Sequence, residues 1–118
     1  MSWDISLVDP NTGKTLNADK PHGMTGGTYS PGNTEMWLNI TWNYSKYYYA
    51  VFDGDKGIKS ISGMIGKDSI PVLKAAIGKL GGDRHPDYWK ATEGNARAAL
   101  EHLLVMAKIC PDGVWEVD

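Results

Sequence analysis

The sequence predicts an α+β fold in which a small antiparallel sheet, formed by the N-terminal half, packs against two C-terminal helices. Apolar and polar residues alternate over residues 3–8 and 35–44, which is the period of strands with one buried face. Apolar residues recur at helical spacing after residues 69 and 92. The chain has 118 residues, 42% of them hydrophobic, so we expect a single domain over residues 1–118.

The first strand leads into a predicted hairpin and then a long loop. Residues 3–8 form the strand, and the turn sequence of residues 9–13 carries the Pro and Gly that a tight reversal needs. Residues 14–16 form the returning arm. Residues 18–34 are rich in Gly, Pro, Asn and Thr and predict a loop long enough to be a place to look for a site.

Residues 35–44 predict a strand with one apolar face and one polar, uncharged face. The polar face suits hydrogen bonding at a partly enclosed surface. The apolar face carries Met36, Leu38, Ile40 and Trp42, and the other face carries Trp37, Asn39, Thr41 and Asn43. Residues 44–52 fit either a strand or a helix, because their periodicity favours neither, and residues 53–57 carry a turn signal.

Two helices are predicted in the second half. The first spans residues 69–80, with Ser69 as N-cap and Pro71 in the first turn. The second begins near Thr92 and ends before Pro111, after which Trp115 packs back on the fold. The buried faces are expected to carry Ile70, Leu73, Ile77 and Leu80 in the first helix, and Ala96, Leu100, Leu103, Leu104 and Ala107 in the second.

Charge and cysteine content exclude several classes of function. The net charge is −2, with 12 basic residues scattered among 14 acidic ones, so duplex nucleic acid is not an expected partner. A single cysteine, Cys110, rules out an internal disulfide framework. No signal peptide or membrane-spanning stretch is recognisable, so we expect a cytoplasmic protein. The histidines and Cys110 lack the spacing of metal ligands, so no metal and no cofactor are expected.

The concentration of aromatic residues indicates a candidate site. Eight of the twelve aromatic residues lie between positions 29 and 52. Such rings build either a Tyr-rich core or, beside Asn and Thr side chains, a pocket or contact surface. Residues 88–95 form a second aromatic and polar patch, where either an anion docks on a helix N-terminus or Thr92 simply caps it. The predicted ligand-binding residues are His22, Tyr29, Asn39, Thr41, Asn43, Tyr44, Tyr88 and Asn95.

The loop of residues 18–34 is expected to close over the polar strand face through His22 and Tyr29 and to complete the site. Residues 32–44 and 88–96 resemble a family of small uncharacterised bacterial and phage (prophage) proteins. That resemblance implies a cytoplasmic accessory protein that binds or inhibits a host factor, and it brings no established catalytic residues.

Three functions follow from these observations. The first is a non-catalytic module that binds a small planar or nucleotide-like ligand through the aromatic, Asn- and Thr-rich pocket. The second is a protein-interaction module whose Tyr/Trp-rich surface contacts a partner or a second copy of itself, giving a homo-oligomer. The third is an enzyme of unknown type, for which His22 is the one candidate acid or base in the suspect loop.

Overall fold

An antiparallel three-stranded sheet organises the fold, and its central strand is the first strand of the chain. The computed structural model describes residues 1–24, 29–30 and 34–118, with side chains left undescribed at 23–24 and 29–30. Its strands are β1 (Ser2–Val8), β2 (Gly23–Met24), β3 (Tyr29–Ser30), β4 (Trp37–Thr41) and β5 (Val114–Val117). The sheet order is β4-β1-β5, while β2 and β3 form a separate two-stranded pair.

In the described part of the chain, three α-helices and two short 3-10 helices cover one face of this sheet. The helices are α1 (Ser45–Val51), α2 (Gly66–Gly78) and α3 (Glu93–Ile109), with 3-10 turns at Trp42–Tyr44 and Gly57–Ile61. The inward side chains of the sheet and helices belong to one cluster of buried hydrophobic residues. The predicted α+β class is therefore confirmed, with one addition. The sheet takes its third strand, β5, from the C-terminal segment, where Trp115 is fully buried.

The predicted first hairpin has a tight turn but a short second arm. The N–H of Asp9 donates to the Lys14 carbonyl, and Gly13 adopts a positive φ of 72°, a conformation that glycine accepts without strain. Thr15 then makes a single bridge to Val8 rather than a full strand. The sheet partners of β1 are instead β4 and β5.

The strand predicted over residues 35–44 is shorter in the structure and ends at Thr41. The Thr41 side chain accepts a hydrogen bond from the Asn43 N–H at 3.2 Å and caps the 3-10 helix that follows. The prediction that Trp42 lies on the buried face was therefore wrong. Trp42 is 44% exposed, and its ring lies 6.1 Å from that of Trp3. Residues 44–52, which fitted a strand or a helix, contain α1, with Tyr48 buried on its inner face.

The first predicted helix begins three residues earlier than expected. It starts at Gly66, so Ser69 lies inside α2 and is not its N-cap. The Ser69 hydroxyl is buried, donates to the Gly66 carbonyl at 2.6 Å and accepts the Trp115 indole N–H at 2.8 Å. Pro71, expected in the first turn, consequently lies within the helix. The position of Ser69 in the sequence suggested an N-cap, but its hydroxyl instead bonds to Trp115, which is distant in the sequence.

The second predicted helix is α3, and its expected N-cap is confirmed. The Thr92 hydroxyl accepts the Asn95 N–H at 3.1 Å. Leu100 and Leu103 are fully buried, as predicted, whereas Leu104 is only partly buried against the core. Within the part of the chain that the structure describes, no helix is long and apolar enough to cross a membrane.

Candidate functional site

A cavity of about 380 Å³ lies where α3 faces the edge of β4 that does not pair with β1. Residues 84–88, in the segment between α2 and α3, form a further wall. The lining consists of Leu38, Asn39, Ile40, Tyr44, Arg84, His85, Pro86, Tyr88, Asn95, Ala98, Ala99 and His102. Ala98 and Ala99 have the smallest side chains of this set, so they leave room between helix and strand.

The Tyr88 hydroxyl covers part of the free edge of β4. Asp4, which pairs with Asn39, exchanges its backbone hydrogen bonds with Asp118, so the Asn39 N–H and C=O point away from β1. The Tyr88 hydroxyl donates to the Asn39 carbonyl at 3.2 Å and accepts the Thr41 N–H at 3.0 Å. Both hydrogen-bonding functions of this phenol are therefore used by the strand edge.

Tyr44 holds Tyr88 in place through a hydrogen bond and a ring contact. Tyr44 is fully buried, its hydroxyl donates to the Tyr88 carbonyl, and the two rings meet edge to face at 5.6 Å. Burial raises the pKa of Tyr44 far above its ordinary value, and the nearby Tyr88 and Asp87 add to this rise. Burial also raises the pKa of Tyr88, while the Thr41 N–H partly offsets it. Both phenols consequently stay protonated at neutral pH and act as donors.

Asn95 holds the wall formed by the segment between α2 and α3. Its side chain is almost fully buried at the start of α3. The side-chain oxygen accepts the His85 N–H at 2.9 Å, and the side-chain NH₂ donates to the carbonyls of Asp87 at 2.9 Å and Lys90 at 3.1 Å. The amide therefore fixes the backbone of residues 85–90 rather than offering its own polar atoms to a ligand.

A histidine pair lies beside the cavity, two turns along α3 from Asn95. His22 Nδ1 and His102 Nε2 are 2.9 Å apart, and the other ring nitrogen of His22 contacts the Glu35 carbonyl. Burial, together with the neighbouring His22, lowers the pKa of His102 to about 4. His102 is therefore a neutral imidazole at pH 7. This pair joins the segment that precedes β4 to α3.

Four of the eight predicted ligand-binding residues line this one cavity: Asn39, Tyr44, Tyr88 and Asn95. His22 reaches its wall through His102. Of the remaining three, Thr41 and Asn43 do not line it. The side chain of Thr41 caps a helix, and Asn43 is exposed and donates to the Trp89 carbonyl at 2.7 Å.

The polar face of β4, which suggested the site, does not point into the cavity. The Asn39 side chain donates to Ser2 Oγ at 2.7 Å and to Asp4 Oδ1 at 3.1 Å across the sheet, so Asn39 borders the cavity through its backbone edge. The Tyr29 side chain lies outside the described residues, and with it the prediction that Tyr29 closes the loop over the site.

Sequence reasoning missed Arg84, His85 and His102 as lining residues. Arg84 and His85 lie in an irregular, exposed segment with no periodic signal. A signal existed for His102, because Asn95, Ala98, Ala99 and His102 follow the helical spacing i, i+3, i+4 and i+7 along one stripe of α3. Within the described ranges, Arg84 makes no salt bridge, the cavity lining contains no carboxylate, and no three metal-ligating side chains cluster.

A second cavity of about 370 Å³ lies between the end of α1 and α2. Its lining is mostly apolar and includes Phe52, Met64 and Val72. The Ser60 hydroxyl beside it is buried and makes no hydrogen bond to any described residue. None of the predicted ligand-binding residues whose side chains the structure describes borders this cavity.

Comparison of the chain with protein-family models, with curated proteins and with solved structures found no match. The family resemblance of residues 32–44 and 88–96 therefore stays a prediction, and the functional argument rests on the geometry of the site.

Proposed function

We propose that the protein is a small non-catalytic binding module and that the cavity between α3 and β4 takes a small planar, nucleotide-like ligand that carries negative charge. The observation that supports this most directly is the cavity of about 380 Å³, which falls in the size range of small-molecule sites. It combines apolar walls with a few polar groups. Four predicted ligand-binding residues border it.

The shape and charge of the lining favour a flat anion. The lining includes Leu38 and Ile40 from the strand and Ala98 and Ala99 from the helix, and the short side chains of the two alanines leave a slot beside the strand edge that suits a planar group. Arg84 adds a positive charge without a counter-charge among the described lining residues. A guanidinium in this state can bind a phosphate or carboxylate in a bidentate manner.

The hydrogen bonds around the cavity support binding rather than catalysis. The Tyr88 hydroxyl serves the strand edge, and the Asn95 amide serves the segment between the helices. These polar atoms are committed to holding the walls in place. A preformed site of this kind loses little conformational entropy when the ligand binds, which raises affinity without any chemical step.

Surface aromatic residues favour a protein partner, or a second copy of the chain, as the alternative function. Trp42, Tyr49 and Trp89 are 44%, 54% and 58% exposed, and large exposed rings are common at interfaces. A partner strand added to the free edge of β4 is disfavoured because the Tyr88 hydroxyl occupies that edge. Size-exclusion chromatography with light scattering tests self-association.

A thermal-shift panel of nucleoside monophosphates and aromatic carboxylates tests the ligand proposal. A ligand present at one hundred times its Kd adds about 2.7 kcal/mol to the free energy of unfolding. We expect Ala99→Leu, which fills the slot, to abolish the shift, while Ala75→Leu in the second cavity leaves it intact. The proposal is contradicted if no member of the panel gives a shift at millimolar concentration. It is also contradicted if Ala99→Leu leaves the shift unaffected.

A matched pair of variants tests whether the cavity prefers a negatively charged ligand. Arg84→Gln removes the cation of the cavity, whereas Arg97→Gln removes an arginine of α3 that is paired with Glu101 and lies outside the lining. We expect Arg84→Gln to weaken binding about tenfold or more and Arg97→Gln to leave it within about twofold, as measured by calorimetry. Equal effects of the two variants would exclude a specific role of Arg84.

A further inference from the structure

We propose that an exposed surface formed by Trp42, Lys46, Trp89 and Lys90, which we call the indole surface, binds single-stranded nucleic acid. The two indoles stack on bases, and the two ammonium groups contact backbone phosphates. None of the four residues lines the cavity between α3 and β4, so this inference does not rest on the proposed function.

Two segments of the chain lie side by side at the indole surface. The Asn43 side chain donates to the Trp89 carbonyl at 2.7 Å. The Tyr47 hydroxyl donates to the Ala91 carbonyl at 3.0 Å. Because Asn43 directly follows Trp42, the first of these bonds limits the distance between the Cα atoms of Trp42 and Trp89 to about 13 Å at most. Four nucleotides cover this distance at the spacing of about 3.4 Å that they have in a duplex, so a short strand can reach both indoles.

The core of the protein holds both indoles in place. The Trp42 ring centroid lies 6.1 Å from that of Trp3, which is buried. The Trp89 ring centroid lies 5.1 Å from that of Tyr88. Contacts of 5.6–6.2 Å then join Trp3 to Tyr88 through two buried tyrosine rings, so Trp42 and Trp89 are the exposed ends of one continuous chain of aromatic contacts. Because neighbouring rings restrict both indoles, stacking on a base costs little side-chain entropy.

Lysines give the indole surface a charge complementary to a phosphate backbone. Lys46 and Lys90 are exposed, and neither forms a salt bridge with a described residue. Residues 41–50 and 88–92 contain no Asp or Glu. The carboxylate of Asp87, which precedes the second segment, accepts a backbone N–H of that segment at 3.1 Å. The two lysines outnumber this carboxylate, so the surface carries local positive charge although the whole chain has a net charge of −2.

These features favour a single strand over the other partners that exposed indoles can bind. In a duplex the base faces are stacked on one another, whereas a single strand offers them to aromatic side chains. Lysine is depleted at protein–protein interfaces, so two exposed lysines beside the indoles argue against a protein partner or a second copy of the chain. The same lysines argue against a neutral glycan, which would leave both ammonium groups without an anionic partner.

Fluorescence anisotropy with labelled oligothymidylate and oligouridylate of about 15 nucleotides tests the stacking. We expect at least one of the two to bind in about 50 mM salt, and the tighter complex identifies DNA or RNA as the preferred strand. Trp42→Leu and Trp89→Leu should each weaken binding about fivefold or more, because a stacked base is lost. Trp42→Tyr and Trp89→Tyr keep an aromatic face and should stay within about threefold of the wild type.

Glutamine variants of the two lysines test the phosphate contacts. Lys46→Gln and Lys90→Gln should each reduce the slope of log K against log salt concentration by about 0.7, the value for one phosphate of a single strand. Lys74→Gln removes an exposed lysine of α2 and should leave the slope unchanged. Ala99→Leu, which fills the cavity, should leave the affinity for the oligonucleotide unchanged.

Several results would overturn the proposal. Neither oligonucleotide binds at high micromolar protein concentration, or binding is unchanged in both Trp42→Leu and Trp89→Leu. Loss of binding in Ala99→Leu would place the strand in the cavity instead. A changed oligomeric state in the leucine variants, with no oligonucleotide binding by the wild type, would assign the surface to a second copy of the chain. Circular dichroism shows whether each variant is folded, and if a leucine variant is not, the salt slopes of the lysine variants decide.

Discussion

Replacing Asn95 with Ala tests whether one buried amide holds the wall of the cavity. The variant removes three hydrogen bonds, to the His85 N–H and to the carbonyls of Asp87 and Lys90. A hydrogen bond contributes about 0.5–1.5 kcal/mol net, so three give about 1.5–4.5 kcal/mol. Residues 85–87 and 90 are themselves exposed, so water replaces part of what is lost. We therefore expect a loss of about 2 kcal/mol.

Thermal and urea denaturation measure this loss. For a chain of this length the unfolding entropy is about 0.25 kcal/mol per kelvin, so about 2 kcal/mol lowers Tm by about 8 °C. Amide hydrogen exchange should accelerate in residues 84–91 and remain slow in β1. The control is Asn43→Ala, which removes one hydrogen bond from an exposed side chain and should cost less than about 1 kcal/mol.

A second variant separates the donor role of the amide from its acceptor role. Asn95→Asp keeps an acceptor for the His85 N–H but cannot donate to the two carbonyls. We expect it to be at least as destabilising as Asn95→Ala at pH 7. A change below about 0.5 kcal/mol in Asn95→Ala, or unaltered exchange in residues 84–91, would refute the reasoning that this amide holds the segment.

Three further predictions concern the core, a close backbone approach and pH. Leu100→Ala should cost about 2–5 kcal/mol in urea denaturation because Leu100 is fully buried; a change under half of one kcal/mol would show that α3 presents another face. Gly94→Ala should lower Tm because its Cβ would lie 2.4 Å from the Arg84 backbone nitrogen, whereas Gly78→Ala meets open space and should not. Folding lowers the pKa of His102 from 6.5 to about 4, so the unfolded chain takes up this proton first and stability should fall as pH drops from 6.5 toward 4. The fall should be shallower in His102→Gln, and identical slopes would contradict the shift.

The elements that the sequence predicted well are those with a long, uninterrupted period. β1 and the inner face of α3 fall into this group, since local alternation or helical spacing matches burial there. The prediction went wrong at element ends. Alternation continues past Thr41, but the Thr41 side chain starts a 3-10 helix, and Ser69 resembles a cap because its true partner, Trp115, is 46 residues away. The ends of strands and helices depend on single contacts of this kind, which local sequence patterns do not indicate.

The candidate site was predictable in part for a similar reason. Tyr44, Tyr88 and Asn95 stood out by composition, and the fold brings them to one cavity. Arg84 and His102 join them only because the free edge of β4 faces α3, and that placement follows from the sheet order. The missing step was therefore to recognise β1 as the central strand of the sheet. That position depends on strand pairs between residues that lie far apart in the sequence.

The place of β1 in the middle of the sheet has a consequence for synthesis on the ribosome. β1 is synthesised before the other two strands of its sheet, and its partner β5 lies more than 100 residues later, at Val114–Val117. At a synthesis rate of about 5–20 residues per second, one edge of β1 stays unpaired for about 5–20 s. An unpaired apolar strand is a template for association with other chains. Nascent chains stalled before β5 should accordingly need chaperone protection, and the sheet closes only after Trp115 has left the exit tunnel.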